Sequence, residues 1–142
     1  MRAGDYGEML LGVARQLCDE LRDQDDPLPS GLAGLLTPPR GGLEISHDLD
    51  AGDREVVENL RGALAEIAIA LWPDQEEPSV ASAVAALDGA ESVIGAELLR
   101  GNPQQLPRLM PSFVFLVALQ VAGQDRAFEL SQRVTELIEE AA

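Results

Sequence analysis

Apolar side chains recur along this chain with the 3.6-residue period of helices that are buried on one side. Met9, Leu10, Val13, Leu17 and Leu21 predict a first helix over about 5–23. It gives way at the acidic run Gln24-Asp25-Asp26 and the breaker Pro27. Val57, Leu60, Leu64, Ile67 and Leu71 step by 3, 4, 3 and 4 residues, which lays one seam along a second helix. Asp50 or Asp53 caps its start. Trp72-Pro73 ends it, because a residue before proline is pushed out of the α region.

A third stretch begins at the cap Ser79 and carries Val80, Val84, Leu87, Ile94 and Leu98, with Glu91 interrupting the pattern. Asp88-Gly89 and Gly95 weaken its middle by roughly 1 kcal/mol per glycine. The helix therefore either kinks there or lets another helix approach closely. Asn102-Pro103 reads as a cap followed by proline, and Pro107 and Pro111 predict a short, bent or partly irregular piece. Residues 112–122 form a helix apolar on nearly every side, stopped by Gly123. Ala127, Leu130, Val134, Leu137 and Ala141 then make the stripe of a last helix, with Glu129 and Arg133 as an ion pair one turn apart.

Only residues 24–52 resist this reading. They hold Pro27, Pro29, Pro38, Pro39 and several glycines, with a helical turn expected over 30–36 and a strand-like piece over 43–47. The fold class is all-α: one domain over 1–142, a bundle of five to six helices with an irregular Pro/Gly-rich segment.

Charge changes the functional picture more than the fold. The chain has 25 acidic and 10 basic residues, all ten bases being Arg, for a net charge of -15. A polyanion of that strength does not grip nucleic acid through its phosphates. The acids cluster around 19–26, 48–55, 74–77 and 136–140, as expected of a solvated, soluble surface or of a patch for a basic partner. No calcium-loop spacing occurs among them, so no metal is expected. Cys18 is the single cysteine and His47 the single histidine, about thirty residues apart, and no catalytic pairing is expected. No signal peptide is expected, and the most apolar run, 113–119, is far below the ~20 residues of a membrane span. A cytoplasmic protein without a cofactor is the expectation.

The helix at 112–122 needs cover on all sides. Either it is the central helix of the bundle, or one side meets a second copy. The second arrangement pairs the last two helices across a two-fold axis, with Val114, Ala118, Val121, Ala122, Leu130, Val134 and Leu137 at the interface. Trp72, Met110, Phe113 and Phe115, with Gln120 as a polar contact, are the candidate lining of an apolar ligand pocket between helices.

The stretch 91–141, ESVIGAELLRGNPQQLPRLMPSFVFLVALQVAGQDRAFELSQRVTELIEEA, resembles the C-terminal regulatory domain of TetR-type transcriptional regulators. The likeness extends at most over 53–141. It implies a dimeric four-helix interface from the last two helices and an effector pocket enclosed by the helices before them. The family's basic helix-turn-helix has no counterpart in residues 1–52, so DNA reading does not carry over. The expected function is a non-catalytic helical homodimer acting as a regulatory or sensor module with an apolar pocket. The alternative is an acidic chaperone, adaptor or inhibitor that covers a basic or hydrophobic protein.

Overall fold

The computed structural model describes residues 2–21, 49–71 and 80–141. They form α1 (Ala3–Leu21), α2 (Ala51–Leu71), α3 (Val80–Leu99), a 3-10 turn (Pro103–Gln105), α4 (Leu106–Ala122) and α5 (Gln124–Ala141). The described residues contain no strand, and the all-α bundle is the observed fold. The turn expected at 30–36, the extended piece at 43–47 and the Trp72 and Ser79 boundaries lie outside the described residues.

Local chemistry fixes the helix ends. The Asp50 carboxylate accepts a 2.8 Å hydrogen bond from the Asp53 backbone N–H, so Asp50 is the cap of α2. Burial, and then the Asp50 charge, push the Asp53 carboxyl above its ordinary value. The Arg2 N–H likewise donates to Asp5 at 3.0 Å, half of a capping box at the start of α1. After α3 the Asn102 N–H reaches the Glu97 carbonyl at 2.9 Å and the Gly101 N–H reaches Leu98 at 3.1 Å. With Gly101 at φ 73°, this is a Schellman stop. Gly123 alone joins α4 to α5, at φ 88° and ψ 173°, a region open essentially to glycine.

The third and fourth helices differ in part from expectation. α3 runs unbroken through Asp88-Gly89 and Gly95, and Gly95 is buried. At Gly89 an added Cβ would meet nothing, so no other helix approaches there. The fourth helix starts at Leu106, six residues before the expected 112, and includes Pro111. Pro107 falls in the first turn, where its missing N–H costs nothing. Pro111 forfeits one backbone bond, but the early turns bury Leu106 and Met110 almost completely. Each such side chain contributes about 1.5–3 kcal/mol of transfer free energy, which offsets the lost bond.

Each helix packs on the next, and α5 closes back onto α1. α4 packs against all four other helices, and Arg108, Ser112 and Leu116 leave one of its sides in solvent. Its inward stripe of Leu106, Met110, Val114, Val117, Ala118 and Val121 is shielded from solvent. Leu60, Leu64, Ile67 and Leu71 of α2, and Leu87 and Ile94 of α3, belong to the same core.

Helix glycines report how close neighbours come. Around a Cβ added at Gly62, in the middle of α2, there is open space. A Cβ at Gly7 would sit 3.2 Å from Cγ1 of buried Val56, where α1 meets α2. We expect Gly62→Ala to raise stability by about 0.5–1 kcal/mol. Gly7→Ala should gain nothing or lose. Urea melts followed by far-UV circular dichroism check both, and a lower midpoint for Gly62→Ala would contradict the open geometry.

Candidate functional site

The side chains expected to line a ligand pocket do not converge. Met110 and Phe113 are buried in the core, while Phe115 and Gln120 are half-buried. On a helix turning ~100° per residue, Phe115 lies roughly 170° from the mean direction of the other three. Trp72 is outside the described residues. The side chains expected at a two-fold interface are already covered within one chain: Val114, Ala118, Val121 and Val134 are 0% exposed, Leu137 2% and Leu130 4%. Ala122 is half-buried.

The core holds one ionic cluster that the sequence reading missed. Arg61 of α2 is buried, and its Nη1 lies 2.7 Å from Asp88 and 2.8 Å from Glu91, both on α3. Glu91 is itself buried, whereas Asp88 is 48% exposed. The signal was present in the sequence. Arg61 sits four residues after Val57 and three before Leu64, on the apolar seam, and Glu91 holds the same place between Leu87 and Ile94. Opposite charges at matching seam positions of two neighbouring helices mark a pair that crosses between them. Both carboxylates accept hydrogen bonds from the same guanidinium, so the cluster is arranged as a helix-to-helix clamp.

A second network ties α5 to α1 at the surface. The expected Glu129–Arg133 pair does not form. Arg133 instead donates from Nε and Nη2 to the two oxygens of Glu20, both at 2.8 Å, and from Nη1 to Glu136 at 2.9 Å. A forked contact to one carboxylate holds a guanidinium better than a single bond along its own helix. Glu129 meets Arg126 at 3.4 Å. The Arg133 hydrogen bond is the main reason the Glu20 carboxyl lies below its ordinary value of 4.5, and Glu20 in turn raises Arg133. Among the described residues no group of three His, Cys, Asp or Glu side chains is placed to hold a metal, and Cys18 is buried.

The surface divides sharply by charge. Exposed residues include Glu8, Arg15, Asp19 and Glu20 on α1, Arg54, Glu55, Glu58 and Glu66 on α2, and Asp125, Glu129, Glu136, Glu139 and Glu140 on α5. α3 and α4 differ. The 44 residues 80–123 hold three acids and two bases, so 14 of the 15 net negative charges lie elsewhere. On α3 the exposed side carries Ala81, Ala85, Gly89 and Val93, with half-exposed Asp88 beside Gly89 and exposed Arg100 just past its end. On α4 the corresponding side carries Arg108, Ser112 and Leu116, each one turn from the next, with Phe115 and Leu119 half-buried beside them. Of the four exposed large apolar side chains among the described residues, Val93 (40%), Leu99 (44%) and Leu116 (46%) lie on α3 and α4, and Phe128 (57%) stands among the acids of α5. By length and composition alone, Pro103–Ala122 is apolar enough to cross a membrane. In this fold its inner side is the centre of the bundle.

No protein-family model matches the chain, and comparison with curated proteins and with solved structures gave no match either.

The ionic cluster predicts an asymmetry. Glu91→Ala removes the buried carboxylate facing a buried guanidinium and should cost about 3 kcal/mol. Asp88→Ala removes a half-exposed partner and should cost about 1 kcal/mol or less. Replacing Arg61 and Glu91 together by Leu should cost less than Glu91→Ala alone. Denaturant melts of the three variants decide it, and equal losses for Glu91→Ala and Asp88→Ala would contradict the clamp.

The surface network predicts a pH dependence. Because folding lowers the Glu20 pKa, its contribution is fully present above about pH 4.5 and is lost as pH falls through the lowered folded value. Glu20→Gln should therefore flatten the acid-side loss of stability below pH 4.5. Melting temperatures at pH 6, 4 and 3 compare the two proteins, and parallel curves would count against the contact.

Proposed function

We propose that this protein is a non-catalytic regulatory module that works by binding another protein chain through the outer side of α3 and α4. The observation that carries this reading is the uncovered side of two mostly apolar helices. A helix of that kind belongs inside a structure. Here each has one side in solvent, and the two neighbouring sides, whose charges are half-exposed Asp88 and the exposed Arg100 and Arg108, make the least acidic part of a strongly acidic body. Exposed apolar faces framed by polar surface are the usual mark of a protein contact.

The acidic shell fits the same role. It keeps the free module soluble and repels non-specific association through the other faces. The clamp of Arg61 with Asp88 and Glu91 suits a scaffold, since it offsets one of the two carboxylate charges and ties α3 to α2. A sensor function of the kind the TetR-like pattern implies draws its support from the apolar residues of α4, but Met110 and Phe113 are occupied as core.

The test is site-specific photo-crosslinking in the cells that make the protein. A benzophenone amino acid placed at Val93 or Leu116 should yield protein adducts on irradiation. The same residue at Glu58 or Gln132, on the charged sides of α2 and α5, should yield none. Adducts from all four positions, or none from 93 and 116, would defeat the reading.

A further inference from the structure

We propose that the partner on the α3–α4 face is a second copy of this chain, docked about a two-fold axis. The proposal rests on the interaction reading and names its occupant. Electrostatics makes the first argument. Two copies each carrying -15 repel, and the repulsion is smallest where they touch through the part that holds almost none of that charge. A basic partner would be drawn instead to the acidic sides of α1, α2 and α5. A face with little acid and with Arg108 exposed on it, on a strongly acidic chain, suits a partner with the same charge problem.

Side-chain size makes the second argument. The middle of the exposed α3 side is Ala85 and Gly89, and a Cβ added at Gly89 would meet nothing in its own chain. Small residues let two helix backbones come to the near end of the usual 8–10 Å separation. Val93 on α3 and Leu116 on α4 project beside this flat strip and fit against its copy across the axis. A bilayer surface calls for the opposite, bulky apolar anchors with basic residues around them.

Size makes the third. α3 is 20 residues long, so its side spans about 30 Å, and two neighbouring helices make a face about 20 Å wide. That is ~600 Å² in projection, near the ~800 Å² per partner of a standard specific interface.

Light scattering coupled to size exclusion, from 1 to 100 µM, tests the proposal. The parent should elute as a dimer. Leu116→Glu and Val93→Glu each place a carboxylate near its symmetry mate and should weaken association at least ~100-fold. Both positions are 40% or more exposed, so the helical spectrum should persist. Ala85→Gln, uncharged and helix-compatible, should also weaken the dimer by blocking close approach, whereas Phe128→Glu should leave it intact. The dimer should tighten as salt rises from 20 to 500 mM, because screening relieves repulsion between the acidic bodies.

A parent that is monomeric at 100 µM would overturn the proposal. So would a dimer that survives the three α3–α4 variants, one that Phe128→Glu dissociates, or one that salt weakens. Binding to neutral phosphatidylcholine vesicles that Leu116→Glu abolishes would overturn it in favour of a lipid. If crosslinks from positions 93 and 116 join the chain to a different protein while the parent stays monomeric, the dimer fails and the interaction reading stands. If neither crosslinks nor a dimer appear, both fail.

Discussion

The structure depends on covering α4. Its inward stripe, from Leu106 through Met110, Val114 and Val117 to Val121, is almost wholly out of solvent, and no single neighbouring helix is wide enough to achieve that. All four other helices therefore lean on it. This requirement explains the one-residue connection at Gly123, which folds α5 directly onto α4. It also explains why a proline within the fourth helix is tolerated. The apolar area buried by the first turns outweighs one missing backbone bond.

Covering α4 also shapes the electrostatics. Helices that surround a central one must be apolar inside and are free to be charged outside. α1, α2 and α5 follow that rule, and their outer sides carry most of the acid. α3 does not. Its outer side is mostly small, with Val93 and Leu99 exposed, and its acids Asp88 and Glu91 reach toward Arg61 while Asp88 stays half-exposed. The Arg61 cluster is best understood as a specifier of how α2 meets α3. A purely apolar seam between two such helices would tolerate sliding by a turn, whereas one guanidinium shared by two carboxylates fixes the level. The Arg133–Glu20 fork does the same more weakly at the solvent-exposed junction of α1 and α5.

Much of the fold was legible from periodicity, and the errors have physical causes. The seam of α2, the stop at Gly123 and the stripe of α5 were readable because each rests on residues close in sequence. The start of α4 was misread because local proline chemistry was weighed without the burial of Leu106 and Met110, which only neighbouring helices provide. The Glu129–Arg133 pair was expected because both lie on one helix. It lost to Glu20, 113 residues away in sequence, a competitor that helix spacing alone does not reveal. Arg61 and Glu91 were legible as interruptions of two seams, but their partnership required knowing that α2 and α3 are neighbours.

The sequence by itself determined that this chain is a set of amphipathic and wholly apolar helices under an acidic coat, because helix period, caps and net charge are sums over local residues. The tertiary structure decided which apolar side chains were spent inside. It placed Val114, Val121, Val134 and Leu137 within one chain and left Val93, Leu99 and Leu116 in solvent. A pattern of hydrophobicity states how much surface a helix must hide, and the physical reason it stops there is that hiding is a property of pairs. Whether a given apolar side is core or contact depends on which other helix lies against it.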